Sequence, residues 1–310
     1  MYLQHFNLSA TPFSITPDTE FTYGSRAQLE ALNTLLLAID DGEGFIKITG
    51  EVGTGKTLAC RRLLSALACR SSSNCAGFST AYIPKPQLSP RTLLLAIAHE
   101  LRLDLWPDAP EHKILSRLNE AVLQAAQDGR RVVVCLDEAQ AMPVETLEAL
   151  RLLSNIETEK RKLVQVVLFG QPELDARLAR PELRQLESRI SFQYRLGALS
   201  ADETERYLAH RLRVAGLRGD ALFPPPVARA MYRVTRGVPR LINIVAHKTL
   251  LLAYGEGALR ASVAHVKAAA ADTPYASRMG LISRWMTTLF TRRAQGLADS
   301  RSTARKAANA

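Results

Sequence analysis

The chain has 310 residues, enough for one large domain or two smaller ones, and its 47% apolar content suffices for a buried core, mostly aliphatic because aromatics make up only 6%. Of the net charge of +10, residues 273–310 supply +6 (seven basic residues against Asp299), which excludes a polyanion-binding surface spread over the whole molecule. No apolar run is long enough to span a bilayer and no basic-then-apolar leader opens the chain, so the expectation is a cytoplasmic protein, soluble or peripheral.

Residues 1–24 hold Phe6, Phe13, Phe21 and Tyr23 with Pro12 and Pro17. The prolines predict extended or turning chain, a strap that packs on the core, across a bound base, or both. Ala27 to Ile39 reads as a helix with Leu29, Leu32, Leu36 and Ile39 on one face. Phe45 to Thr49 is an apolar strand, and Leu58 to Ala68 is a helix. Between them lies Gly50-Glu51-Val52-Gly53-Thr54-Gly55-Lys56-Thr57, which fits G-x-x-x-x-G-K-[ST]. Glycines let backbone N–H groups approach phosphate oxygens, and the following helix N-terminus adds partial positive charge there. Lys56 is placed to reach the β- and γ-phosphates of a nucleotide such as ATP, and the Thr57 hydroxyl to ligate Mg²⁺.

Ser79 to Ile83 is a second strand, closed by Pro84 and Pro86; Arg91 to Leu101 and His112 to Gln127 are helical. Cys60, Cys69, Cys75 and Cys135 show no C-x-x-C spacing, which argues against a zinc site. The β-branched run Arg131 to Leu136 reads as a strand covered on both faces, with Cys135 a small core residue. It delivers Asp137 and Glu138 to its C-terminal edge, one suited to hold Mg²⁺ and the other to polarise an attacking water.

Val144 to Asn155 is helical, Glu157 to Lys162 a charged turn, and Leu163 to Phe169 another strand. Gln171 follows it; strands of a parallel sheet end at one rim, so Gln171 is a candidate to sense the γ-phosphate or orient the water. Leu183 to Ser188 is helical, with Arg184 and Arg189 ahead of a fifth strand, Ile190 to Leu196. Alternation of strands and helices predicts an α/β fold with a parallel, doubly covered sheet over residues 25–197. Residues 198–272 read as a small helical domain: Ser200 with Glu203 is a capping box, and helices follow to Val214, from Pro224 to Arg236, Leu241 to Tyr254 and Ser262 to Ala271. Residues 278–293 place Ile282, Trp285, Met286, Leu289 and Phe290 on one stripe beside arginines. Such a helix can lie on an anionic membrane, or dock on a partner or on the body of the protein.

Taken together, these residues resemble an AAA+ ATPase of the ExeA/GspA group of secretion and pilus-assembly ATPases, over about residues 1–272. The matches are the phosphate loop, Leu136-Asp137-Glu138-Ala139-Gln140-Ala141, Leu152-Leu153-Ser154-Asn155-Ile156-Glu157-Thr158, Phe169-Gly170-Gln171-Pro172-Glu173-Leu174, Arg184-Gln185-Leu186 with Ser188-Arg189-Ile190, and Gly237-x-Pro239-Arg240. Glu159 to Leu163 and Arg240 to Lys248 are most similar to the ATPases of MSHA type IV pilus biogenesis.

The resemblance implies a five-stranded core with a helical lid, Mg²⁺-dependent ATP hydrolysis, a homo-oligomer, and pilus or secretion assembly partners at the inner membrane. It implies sensor-1 and sensor-2 places for Gln171 and Arg240, and a finger reaching a neighbouring subunit at Arg189 or Arg184. Two departures stand out. Lys85 occupies a place where relatives tend to carry Asn, and the membrane span and peptidoglycan-binding domain of the group's namesake do not read here. Two other readings remain: a DNA-binding regulator of the transposition-ATPase kind, disfavoured by the lack of a basic reading helix, and a nucleotide-gated scaffold with little turnover.

Overall fold

The computed structural model describes residues 2–14, 21–72, 77–154, 157–158 and 161–274. The amphipathic stripe at 278–293 lies outside them. The chain divides into two units, Gly24–Ala198 and a second built from the residues up to Tyr23 and from Leu199 onward.

In the second unit's N-terminal part, α1 spans Tyr2–His5. The first unit opens with α2 (Arg26–Asp40), whose N-cap Ser25 accepts from the Gln28 N–H. Then come β1 (Phe45–Gly50), α3 (Lys56–Ser72), β2 (Phe78–Ile83), α4 (Pro90–Glu100), α5 (Glu111–Gln127) and β3 (Arg131–Leu136). After them stand α6 (Val144–Ser154), a two-residue hairpin of β4 (Glu157–Thr158) and β5 (Arg161–Lys162), β6 (Val164–Gly170), α7 (Glu173–Leu178), α8 (Arg184–Glu187) and β7 (Ile190–Leu196). The stretch expected as a charged turn is thus a hairpin in its described residues, with antiparallel pairs Glu157 to Lys162 and Thr158 to Arg161.

The five long strands form one parallel sheet in the order β2-β3-β6-β1-β7. Their alternation explains why the strands read as continuous apolar runs. On β3, Val132, Val134 and Leu136 join the core shared with α4, α5 and α6, while Val133 and Cys135 join the opposite core with α2 and α3. On β6, Val166 and Leu168 face the first core, Val167 and Phe169 the second. Both faces are covered, as a parallel sheet requires. Edge strand β7 alternates instead, with Ser191, Gln193 and Arg195 exposed.

The second unit continues with α9 (Ala201–Val214), α10 (Pro225–Thr235), α11 (Pro239–Gly255) and α12 (Val263–Ala271). The Ser200–Glu203 capping box that opens α9 is fully formed. Tyr2, Phe6, Leu8, Phe13 and Phe21 are buried in the core of these helices. Among the described residues, no helix is long and apolar enough to cross a membrane.

Candidate functional site

Three neighbouring strands of the first unit, β3, β6 and β1, end on one rim, and the chain leaving each of them carries polar groups. After β1, the backbone of Gly53 and Gly55 takes positive φ (83° and 102°), which glycine alone adopts without strain. Gly55 has a second reason: a Cβ there would come within 2.7 Å of the Gln28 amide nitrogen. A Cβ at Gly50 would meet the Leu196 carbonyl at 2.7 Å. The loop is closed on itself by Thr54, whose hydroxyl donates to the Glu51 carbonyl at 2.9 Å. Glu51 and Val52 are exposed at its tip.

Lys56 opens α3, and its ammonium donates to the carbonyls of Gly50 (2.8 Å) and Glu51 (3.1 Å). Burial lowers its pKa below the usual lysine value, opposed by the carboxylates of Glu138, Asp137, Glu51 and Glu173. The next residue, Thr57, donates its hydroxyl to Asp137 Oδ2 at 2.6 Å. Asp137 is 2% exposed. Burial pushes its carboxyl above the usual carboxylate range, although the bonds from Thr57 and from the Glu138 N–H pull the other way.

The donor set fits a hard divalent cation: a hydroxyl and a carboxylate oxygen meet at one point beside the phosphate loop. Backbone N–H groups at a helix N-terminus fit phosphate oxygens.

Glu138 adopts a left-handed backbone, φ 56° and ψ 37°. Its Oε2 accepts from Gln140 Nε2 at 2.5 Å and from Gln171 Nε2 at 3.2 Å. Gln140 also accepts the Gln171 N–H at 3.0 Å through Oε1, and its main-chain carbonyl accepts from Arg177 Nη1 on α7 at 2.5 Å. Lys85 is exposed and is not among these partners. Gly50 to Thr57, Asp137, Glu138 and Gln171 are therefore brought together. Gln28 and Arg177 join them without having been named from the sequence, as does Gln140, which was named only within the Leu136–Ala141 match and given no role.

Of the arginines singled out by sequence, two lie in this unit. Arg189 directly precedes β7, is half-buried, and donates to the Arg151 carbonyl at 3.5 Å. Phe45 pairs with Ile190 and Gly50 with Leu196, so Arg189 lies at the far edge of the sheet, about 20 Å along the strands from the phosphate loop. Arg184, on α8, is exposed. Arg240 is exposed in the first turn of α11, in the other unit. Its turn is fixed by Gly237 (φ 74°), where a Cβ would overlap the Leu199 carbonyl oxygen.

Residues 39–178 match a family model described as AAA domain. Over 257 residues the chain is 42% identical to General secretion pathway protein A of Aeromonas hydrophila. That alignment covers 83% of this chain and 46% of the relative, so the chain spans about half the length of the curated protein it matches. Among solved structures it is similar to the Aeropyrum pernix ORC2 protein in ADPNP-ADP complexes (TM-score 0.58, 20% identity, 83% of this chain and 72% of that one). It is similar too to Cdc6p from Pyrobaculum aerophilum (0.60, 16%, 79% and 68%) and to the RuvB Holliday junction branch migration motor of Thermotoga maritima (0.52, 16%, 84% and 72%). At these identities the structures speak for the fold alone.

Proposed function

We propose that this chain, whose residues 39–178 match an AAA domain model, binds ATP at Gly50–Thr57 and hydrolyses it to drive conformational change in a secretion or type IV pilus assembly. The observation that carries the reading is the meeting of Thr57 with Asp137 at 2.6 Å, one residue from a Glu138 carboxylate held by two glutamines. The loop N–H groups of Gly50, Glu51, Val52, Gly53, Thr54 and Gly55, with Lys56, cradle the phosphates. Mg²⁺, held by Thr57 and Asp137, would offset phosphate charge when bound. Glu138 takes the proton of the attacking water, and Gln171, bonded to the same carboxylate, orients that water.

Arg240 acts as the sensor of the second unit. Arg189 or Arg184 serves a neighbouring subunit in a homo-oligomer; Arg189 lies about 20 Å along the strands from this chain's own phosphate loop. The exposed Arg184 is the better presented. Likeness to General secretion pathway protein A supports the secretion reading; a secretion or pilus assembly partner at the inner membrane, a cytoplasmic or peripheral location and residues 278–293 as the contact are our own assignments. The MSHA system is our specific assignment, from the motifs at 159–163 and 240–248.

The test is a pair of variants. Lys56→Ala is expected to lose ATP binding by titration calorimetry. Glu138→Gln should bind ATP normally and turn it over about 100-fold more slowly or worse, within the range of general-base loss. Unchanged turnover in Glu138→Gln would overturn the catalytic assignment.

A further inference from the structure

We propose that Gln140 is the positioning residue of this site, holding the Glu138 carboxylate so that one of its oxygens is left to meet the water. This rests on the reading of Glu138 as proton acceptor. The hydrogen bonds themselves determine which way the Gln140 amide points. The backbone N–H of Gln171 can only donate, so the Gln140 atom 3.0 Å away must be its oxygen. That turns the amide nitrogen onto Glu138 Oε2. Gln171 donates to the same oxygen. Among the described residues, no protein group bonds Oε1, which is the atom free to accept a proton.

Gln140 is itself held at both ends. Its main-chain carbonyl is fixed by Arg177, and the short turn it sits in is closed by the bond from the Ala141 N–H to the Glu138 carbonyl (2.9 Å). A left-handed glutamate is an unfavourable conformation that persists only where its surroundings impose it, and these bonds are what impose it. The same glutamine therefore ties the carboxylate to the chain leaving β6. A shift at the end of that strand moves both donors on Oε2 together. The exposed Lys85 takes no part.

The chemistry demands a neutral donor–acceptor side chain at position 140. Gln140→Ala is expected to lower kcat roughly 10- to 100-fold, the scale of a misplaced catalytic group, with KM for ATP within about twofold. Gln140→Glu sets two carboxylates against each other. Its kcat should fall at least as far as that of Gln140→Ala, because the donor to Glu138 Oε2 is lost and a like charge takes its place.

A measurement independent of turnover uses the protein without nucleotide. The side-chain amide NMR signal that vanishes in Gln140→Ala should move in Glu138→Gln. Wild-type or faster turnover in Gln140→Ala, a raised KM at unchanged kcat, or an amide signal indifferent to Glu138→Gln would overturn the proposal. If the wild type and Glu138→Gln turn over equally, the water-activating role of Glu138 fails instead, and the amide signal still decides whether Gln140 grips it.

Discussion

The Asp137 carboxyl is 2% exposed, and its burial lifts its pKa above the ordinary 3.8. A carboxyl whose pKa is raised in the fold binds its proton more tightly folded than unfolded. Stability therefore falls as pH rises from the ordinary value through the raised one, and above that value ionised Asp137 subtracts its full amount. Asp137→Asn keeps an oxygen for the Glu138 N–H and a polar partner for Thr57. At neutral pH the variant should melt at or above the wild-type temperature, with the gap closing in melts recorded at falling pH, while ATP turnover is lost. A lower melting point at neutral pH would contradict the burial argument. The residues with a fixed motif spacing, Lys56, Thr57, Asp137 and Glu138, are legible in the amino-acid sequence itself. The roles of Gln140 and Gln28 are not, because for each a decisive neighbour lies far along the chain. Gln140 answers a backbone N–H 31 residues later, and Gln28 packs on Gly55 from a different helix.

At the scale of elements, the long strands and helices read correctly to within about two residues, except α3, which runs four residues past the expected end at Ala68, since β-branched runs bounded by glycine or charge leave little choice of register. What escaped was short. α7 has six residues and α1 four, too few for a helical period to show. The hairpin at β4 and β5 is two pairs of charged and polar residues, with no apolar alternation to betray it. Glycine positions are likewise ambiguous in sequence and unequal in structure. Gly129 (φ 71°) has open space where a Cβ would go, whereas at Gly237 the Cβ would strike the Leu199 backbone. Gly129→Ala should destabilise its unit by about 1 kcal/mol, the penalty of left-handed backbone alone. Gly237→Ala should exceed about 2 kcal/mol, because backbone must also move. Chemical denaturation followed by circular dichroism can compare the two; equal losses would show that the Leu199 contact yields easily.

For the molecule as a whole, the N-terminal strap is a structural part of the helical unit. Arg211 on α9, 6% exposed, donates to the Pro12 carbonyl at 2.6 Å and stacks over the rings of Phe21 and Tyr207. Asn243 on α11 accepts from Tyr207 and donates to the Ser14 carbonyl. Phe13 sits edge-on against Phe223 with ring centroids 5.8 Å apart. Phe13→Ala should therefore cost about 3–5 kcal/mol, felt in the helical unit and not in the α/β unit. Hydrogen exchange resolved by segment would show it as lost protection in α9 to α12; loss confined to the sheet would refute the assignment of the strap. The sequence showed aromatic residues between prolines but not what they cover, since burial against a distant segment leaves no local period.

One consequence of that split arrangement concerns how the protein is made. The strap leaves the ribosome before any of the helices it belongs with, and the entire stretch 24–198 is synthesised in between. Phe6, Phe13 and Phe21 must wait through that interval with their greasy faces bare, while the α/β unit can close around its own sheet. Their burial is complete only once the residues of α9 to α12 that cover them have been translated.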